Sequence, residues 1–105
     1  MLKRIRLLFD YGCYPVWLYD ENENLINTLL PEELRSDLDL DKKFDDLQAR
    51  YEALFINDGR EFSYVGFPNN AERGRFIRDW EDAVKELRQK LHGQYIITID
   101  DLHLP

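Results

Sequence analysis

The sequence is poor in the residues that build covalent cross-links and metal sites. Its single cysteine, Cys13, rules out an internal disulfide. Because small domains in oxidising compartments commonly depend on disulfides, this lack predicts a reducing compartment, the cytoplasm. The two histidines, His92 and His103, are eleven positions apart, whereas zinc sites need clustered Cys and His. We therefore predict no metal site, and we place His92 at the C-terminal end of a helix and His103 on a solvated tail.

Glycine is scarce as well, and its five copies are isolated from one another. A phosphate-binding loop needs clustered glycines, so no nucleotide or other cofactor is predicted. The acidic run from Asp37 to Asp41 resembles the start of a calcium loop, but Lys42 and Gln48 stand where such a loop needs glycine and glutamate. We interpret this run as the capped start of a helix, with Leu38 and Leu40 as packing residues.

Patterns typical of catalysis are absent too. Ser36 and Ser63 lack a nucleophile elbow, and Cys13 lacks a catalytic context. The 21 carboxylates include no pair whose surroundings in the sequence push two pKa values apart. We therefore predict a binding protein without catalytic residues, and we keep a small carboxylate-dependent hydrolase as a less favoured alternative.

No long hydrophobic run occurs in the chain. Near its start, apolar residues alternate with Lys3, Arg4 and Arg6, and Asp10 ends the run before it reaches the length of a signal-peptide core or a membrane span. We expect no membrane partner. The composition, 44% hydrophobic and 13% aromatic, is that of a folded chain, and its 105 residues fit one domain spanning 1–105.

Acidic residues, by contrast, are abundant in the chain. The net charge is -7 and is unevenly distributed: residues 1–9 carry +3, residues 10–46 carry -8, and residues 47–105 carry -2. A negative field repels phosphate backbones, so direct nucleic-acid binding is disfavoured, and it steers basic partners toward the protein. Solubility alone is the other explanation of this acidity.

The hydrophobic pattern predicts an α+β domain, with a mainly antiparallel sheet of about five strands in the order βββ(α)αβαβ and two main helices packed on one face. The predicted strands span residues 3–9, 14–19, 25–30, 61–67 and 94–99, and residues 20–24 form a hairpin loop. A short helical turn is predicted at 31–34. The two amphipathic helices are predicted from residue 39 through residue 55, and from Asn69 or Asn70 to the helix-ending Gly93.

The residues from Phe9 to Asp20 are unusually aromatic, at five of twelve. Alternation places Trp17 and Tyr19 on one face of a strand, opposite to Val16 and Leu18. One interpretation is a central strand covered on both faces. The other is an exposed aromatic patch with an acidic rim, the kind of surface that anchors protein interfaces.

Four segments carry a resemblance to a known group of proteins: FDYGCYPVWLYDEN at 9–22, LPEEL at 30–34, LFINDG at 54–59 and EFSYVGF at 61–67. Together they resemble small bacterial immunity proteins that are encoded beside polymorphic toxins, including those of contact-dependent growth inhibition systems. The resemblance implies a cytoplasmic antidote that binds a cognate toxin domain, commonly a nuclease, and blocks its active site or its access to substrate.

We predict that the acidic segment and its aromatic strand face the basic surface of a toxin C-terminal domain, with carboxylates standing in for phosphate. The protein is expected to be a monomer until bound. A regulatory or homo-oligomeric module, which would bury the aromatic patch against itself, is the alternative. The predicted partner-binding residues are Asp10, Tyr11, Trp17, Tyr19, Asp20, Glu21, Glu23, Asp37, Asp39 and Asp41.

Overall fold

The computed structural model describes residues 3–91, 93 and 95–100, so the predictions for His92 and His103 lie outside the described residues. Its elements in chain order are β1 (Lys3–Leu7), β2 (Val16–Tyr19), β3 (Leu25–Asn27), a 3-10 turn (Glu32–Leu34), α1 (Leu38–Glu52), β4 (Phe55–Asn57), β5 (Phe62–Tyr64), α2 (Asn70–Leu91) and β6 (Tyr95–Ile99).

Four strands form one sheet in the order β3-β2-β1-β6, and β4 and β5 form a separate two-stranded sheet. β1 pairs antiparallel with β2 and parallel with β6, while β2 pairs antiparallel with β3. The predicted α+β class, the mainly antiparallel pairing and the β2–β3 hairpin are confirmed. The strands are divided between two sheets because β4 and β5 pair with each other as a hairpin rather than joining the larger sheet.

The four-stranded sheet has one buried face and one open face. Ile5 and Leu7 of β1, with Val16 and Leu18 of β2, are at most 5% exposed. They share one hydrophobic core with the apolar stripes of α1 and α2. Alternate residues of the same strands point to the opposite face, where they are half-exposed.

α2 is the long helix that the sequence predicts. The Asn69 side chain accepts a hydrogen bond from the Glu72 N–H at 2.9 Å, as expected of a helix cap. Gly93 follows the helix with φ 78°, the left-handed conformation predicted for its end. The buried stripe has helical spacing and consists of Phe76, Trp80, Ala83, Val84, Leu87 and Leu91.

α1 begins at a cap formed by Asp37, whose side chain accepts a hydrogen bond from the Leu40 N–H at 3.1 Å. This confirms the interpretation of the acidic run as the start of a helix. Leu40 is fully buried, but Leu38 is 74% exposed, so the prediction that Leu38 packs is wrong. In the first turn of a helix only one side can face the core, and Leu40 occupies it.

α1 and α2 pack antiparallel, and ion pairs join them along their length. The Lys43 ammonium lies 2.5 Å from the Glu86 carboxylate, and the Arg50 guanidinium lies 2.8 Å from the Asp79 carboxylate. The helix pair therefore presents a face on which acids and bases largely cancel.

The sequence predicts that α1 continues through residue 55, and this is wrong. α1 ends at Glu52, and Phe55 begins β4. The turn between β4 and β5 (Phe62–Tyr64) is stabilised by the Asp58 carboxylate, which accepts two backbone N–H bonds at 3.0 Å, and by Gly59 at φ 84°. Phe55 stacks on Phe62 across the hairpin, with ring centroids 5.2 Å apart. Hydrophobic periodicity alone cannot distinguish a longer α1 from a shorter α1 followed by β4, because each arrangement places Phe55 beside other apolar side chains.

Candidate partner-binding surfaces

The structure distributes the predicted partner-binding residues over four parts of the surface. The β1–β2 turn and the β2–β3 turn lie at opposite ends of β2, so acids that are close in the sequence are separated in the fold. The four groups are Asp10 and Tyr11 on the β1–β2 turn, Trp17 and Tyr19 on the open face of the sheet, Asp20, Glu21 and Glu23 on the β2–β3 turn, and Asp37, Asp39 and Asp41 at the start of α1.

Trp17 and Tyr19 lie on the open face, and both are half-buried. The register places Tyr19 beside Arg4 and Trp17 beside Arg6. The Trp17 indole N–H donates to the Tyr14 carbonyl oxygen at 3.0 Å, which fixes the ring on this face. β2 is therefore internal to the sheet but tightly covered on one side only, which favours the aromatic-patch interpretation over the doubly covered strand.

Carboxylates around this aromatic patch are paired with arginines. Arg4 lies 2.6 Å from Glu23, and Arg6 donates two hydrogen bonds to Asp100, at 2.9 and 2.6 Å. Hydrogen bonds to Asp100 and Tyr19 raise the pKa of Arg6 above its ordinary value. The cations of β1, which the sequence presents as a separate basic segment, therefore offset part of the predicted acidic rim.

The β2–β3 turn uses one of its carboxylates to hold its own shape. Asp20 accepts hydrogen bonds from the backbone N–H groups of Asn22 at 2.8 Å and Asn24 at 2.9 Å. The bond from Asn24, followed by that from Asn22, lowers the pKa of Asp20. Glu21 is exposed at the tip of the turn. Glu21 is therefore the residue of this turn whose carboxylate is available to contact a partner.

Two acids at the start of α1 are likewise engaged within the fold. Asp37 caps the helix and forms an ion pair with Lys90 of α2, and the Lys90 contact is the main cause of its lowered pKa. Asp41 accepts a hydrogen bond from the Tyr14 hydroxyl at 2.8 Å. Asp39 is exposed. The acidic run thus combines two structural carboxylates with one directed to solvent.

A further set of carboxylates lies along one side of α1. Asp41, Asp45 and Glu52 have the spacing i, i+4 and i+11, which places them on one helix face, and Asp10 of the β1–β2 turn adjoins them. We name these four residues the α1 flank. Among the described residues, none of the four forms an ion pair with a lysine or arginine. Sequence reasoning missed Asp45 and Glu52, although helical spacing from Asp41 points to both.

Gln48 links the β1–β2 turn to the α1 flank by hydrogen bonds. Its side chain is 8% exposed and donates from Nε2 to the Asp10 carbonyl oxygen and to the Glu52 carboxylate, each at 2.8 Å. The Gly12 N–H donates to the same carboxylate of Glu52 at 2.9 Å. Tyr11 packs edge-on against the β4–β5 hairpin. These contacts hold an aromatic side chain and a carboxylate of the turn next to the acidic side of α1.

Burial, and to a lesser extent the negative charge of the α1 flank, raises the pKa of three groups in or beside it. Burial, and then the charge of Asp41, raises the pKa of Asp45. Burial, and then the hydrogen bond to Asp41, raises the pKa of Tyr14. Burial, and then the charge of Asp10, raises the pKa of Tyr51. The charges of Asp10 and Asp41 thus act on their neighbours in addition to burial, whereas Glu23 and Asp100, near the open face, have arginine partners.

Within residues 3–91, 93 and 95–100, no helix is long and apolar enough to cross a bilayer. In that same part of the chain, His, Cys, Asp and Glu side chains do not gather in threes as the ligands of a metal ion would.

Comparison with known proteins gives a match to a family. The family model described as Serratia CdiI immunity protein-like matches residues 3–101, which includes both sheets and both helices. No curated protein matches the chain.

Proposed function

Because the chain belongs to the Serratia CdiI immunity protein-like family, we propose that it binds a cognate toxin C-terminal domain and neutralises it by covering its active-site or substrate-binding surface. The family match over residues 3–101 is the observation that carries this function. Binding alone accounts for the protection, so the proposal needs neither a catalytic residue nor a cofactor in this chain.

The partner that this protein suits best is a nuclease acting in the cytoplasm. A nuclease holds phosphates on a basic surface, and a protein with a net charge of -7 is attracted to the same surface. Carboxylates of the immunity protein then occupy positions that phosphates would take, which excludes the nucleic acid. The same charge disfavours direct binding of nucleic acid by this chain.

The α1 flank is the most suitable centre for this interface. Exposed charges act over roughly 8–10 Å at physiological salt, so a carboxylate with an arginine beside it contributes little to the field that a partner meets. Glu23 has such a neighbour in Arg4, at 2.6 Å, whereas Asp10 and Asp45 have none among the described residues. Tyr11, held beside the flank, supplies the aromatic contact that interface hot spots favour.

The remaining predicted residues occupy secondary positions in this proposal. Asp39 is exposed in the first turn of α1 but lies on another side of the helix from Asp41, while Asp37 chiefly caps the helix. The residues of the β2–β3 turn and the open face, Asp20, Glu21, Glu23, Trp17 and Tyr19, form a second candidate surface, and the two surfaces are compared by the charge reversals described in the Discussion.

The decisive experiment begins with a search for a toxin C-terminal domain encoded immediately upstream of this gene, followed by its purification. We expect the purified toxin domain to bind this protein in calorimetry, and co-expression of this protein to rescue cells from that toxin but not from an unrelated one. If no complex forms, the immunity function is wrong for this pair. If the complex forms and protects cells, but the free toxin cleaves neither RNA nor DNA, only the nuclease assignment is wrong.

A further inference from the structure

β6 is an edge strand whose outer backbone groups are directed away from the sheet. In the order β3-β2-β1-β6 it has one neighbour, β1. The Asp100 N–H donates to the Leu7 carbonyl oxygen at 2.9 Å, so backbone groups at position 100 face β1. Because successive residues of a strand direct these groups to opposite sides, Tyr95, Ile97 and Ile99 direct theirs outward. Among the described residues, no strand pairs with this edge.

The sequence of β6, Tyr-Ile-Ile-Thr-Ile, has none of the features that usually prevent an edge strand from pairing with another chain. It contains no charged residue, no proline and no irregularity of register with β1. Ile96 is 44% exposed and Ile99 is 41% exposed. By contrast, β3 at the other edge has three residues and an irregular register with β2. β6 is therefore the edge on which a further strand can extend the sheet.

The place of the next strand is an open groove between β6 and α2, with a volume of about 580 Å³. Ile99 lies on the helix-facing side of the sheet and is only partly covered, because the sheet stops at β6 while α2 extends beside it. An added strand would cover Ile99 and complete the packing against α2. Trp80, Glu81, Val84 and Arg88 line the groove from α2, and Ile99 lines it from β6.

Charges along this groove are arranged with opposite signs at its two ends. α2 leads through Gly93 into Tyr95, so the C-terminal end of the helix lies near the start of β6. Arg88 is therefore closer to the Tyr95 end, and Glu81 is closer to the Ile99 end. Neither Arg88 nor Glu81 has an ion-pair partner among the described residues.

We propose that β6 pairs antiparallel with β6 of a second copy of this chain, forming a two-fold symmetric dimer with a continuous eight-stranded sheet. A register centred on Ile97 places Tyr95 opposite Ile99 of the second copy, so that all the outward backbone groups are paired. The same two-fold axis brings Glu81 of each copy to the end of the groove where Arg88 of the other lies. This charge complementarity selects a second copy as the occupant.

The dimer is independent of toxin binding, and it leaves the α1 flank free, because that flank includes the β1–β2 turn and not β6. A dimer at β6 replaces the expectation of a monomer before toxin binding. It also differs from the homo-oligomer considered from the sequence, which would bury the aromatic patch instead of β6. The inference extends the proposed function without depending on it, and its tests use this protein alone.

Hydrogen exchange measured residue by residue provides the first test. In the dimer, the amides of Ile97 and Ile99 exchange slowly at high protein concentration and quickly on dilution, while those of Ile96 and Thr98, which face β1, stay slow at both. Light scattering should show twice the mass of one chain under the first condition. Fast exchange at residues 97 and 99 at every concentration, or slow exchange in a dilute monomer, overturns the proposal.

A charge exchange provides the second test. Arg88→Glu should weaken the dimer about tenfold, since it sets two like charges against each other at both ends of the interface. Adding Glu81→Arg should restore dimerisation by re-creating the pair with reversed signs. Arg78→Glu, on the same helix but outside the groove, is the matched control and should leave the dimer unchanged. Equal effects of Arg88→Glu and Arg78→Glu, or no restoration in the double variant, contradict the β6 interface. Protection of Ile97 and Ile99 that arises only after addition of a cognate toxin domain would assign the groove to that partner instead.

Discussion

The Tyr14 hydroxyl donates a hydrogen bond to the Asp41 carboxylate at 2.8 Å, and this contact joins the segment before β2 to the first turns of α1. Asp41 belongs to the α1 flank, where Asp45 lies one helical turn further along. A phenol that donates to a carboxylate in partly buried surroundings resists deprotonation, because ionisation would set two negative charges against each other.

We expect Tyr14 to make the stability of the protein fall at alkaline pH. Its pKa is raised in the folded state, so the unfolded chain loses this proton first, as the pH passes about 10. The unfolded state then binds fewer protons than the folded one, and the free energy of unfolding decreases with pH. Denaturant unfolding between pH 7 and 11, followed by circular dichroism, measures this effect.

Tyr14→Phe should cost about 0.5–1.5 kcal/mol at pH 7, through loss of the hydrogen bond. The decline above pH 10 should then be shallower than in the wild type. A smaller decline persists, since burial and the bond to Glu33 raise the pKa of Tyr95 to about 12. An alkaline decline of unchanged steepness in Tyr14→Phe would contradict the role assigned to this contact.

Charge reversals distinguish the two candidate surfaces for the toxin. Asp10→Lys with Asp45→Lys should weaken binding about 10–100-fold, mainly through slower association, because both carboxylates lie on the uncompensated α1 flank. Glu21→Lys with Glu23→Lys should have a smaller effect, about threefold, since Arg4 already offsets Glu23. Stopped-flow association and calorimetry, at two salt concentrations, give the rates and affinities.

The matched control for these reversals is Glu32→Lys with Asp82→Lys, which changes the net charge by the same amount. Both residues are exposed, Glu32 lies near Tyr95 at the start of β6, and Asp82 lies on α2. The control should stay within about twofold of the wild type. A loss of affinity of equal size in all three double variants would show that net charge matters and that neither surface is specific.

Removal of a core aromatic ring should be far more costly than removal of an exposed one. Phe76 is fully buried, its ring lies 5.2 Å from Phe9 and 5.4 Å from Phe67, and the Arg50 guanidinium lies 5.3 Å from its centre. Phe76→Ala should reduce the free energy of unfolding by about 3–5 kcal/mol. Phe62→Ala, at a ring that is 54% exposed, should cost clearly less. Equal losses in thermal or urea unfolding would show that the core is not centred on Phe76.

Two glycines should respond to alanine with opposite signs. Gly74 lies within α2 with open space around it, so Gly74→Ala should stabilise the protein by about 0.5–1 kcal/mol through the better helix propensity of alanine. Gly59 adopts φ 84° in the β4–β5 turn, a conformation that strains an alanine, so Gly59→Ala should destabilise. Melting temperatures of the two variants test this, and the same sign of change in both would contradict it.

Helix α2 shows how much of the fold can be predicted from local sequence patterns. Its cap at Asn69, its buried stripe and its end at Gly93 all follow from residue type and spacing within one segment. The end of α1 could not be found in this way. Phe55 satisfies a helical stripe and a short strand equally well, and the β4–β5 pairing that decides between them depends on residues beyond the helix.

The surface was less predictable than the fold. Sequence reasoning singled out Asp10 and Asp41 because they lie in the most acidic third of the chain, but it omitted Glu52, which lies beside them on the same side of α1. Residues that are consecutive in the sequence do not form one surface. The exposed side of a helix contains one or two residues from each turn, and residues of distant loops lie beside them in the fold.

The sequence by itself determined the α+β class, the β2–β3 hairpin, both main helices and the excess of acid, because each depends on composition or on periodicity within a segment. Tertiary structure decided which acids remain uncompensated. Arg6 pairs with Asp100, which is 94 positions away, and Arg4 pairs with Glu23 across the sheet, so the most basic segment of the chain offsets its neighbours in space rather than in sequence. Electrostatic interactions depend on distance through space, and only the folded register brings these charges together.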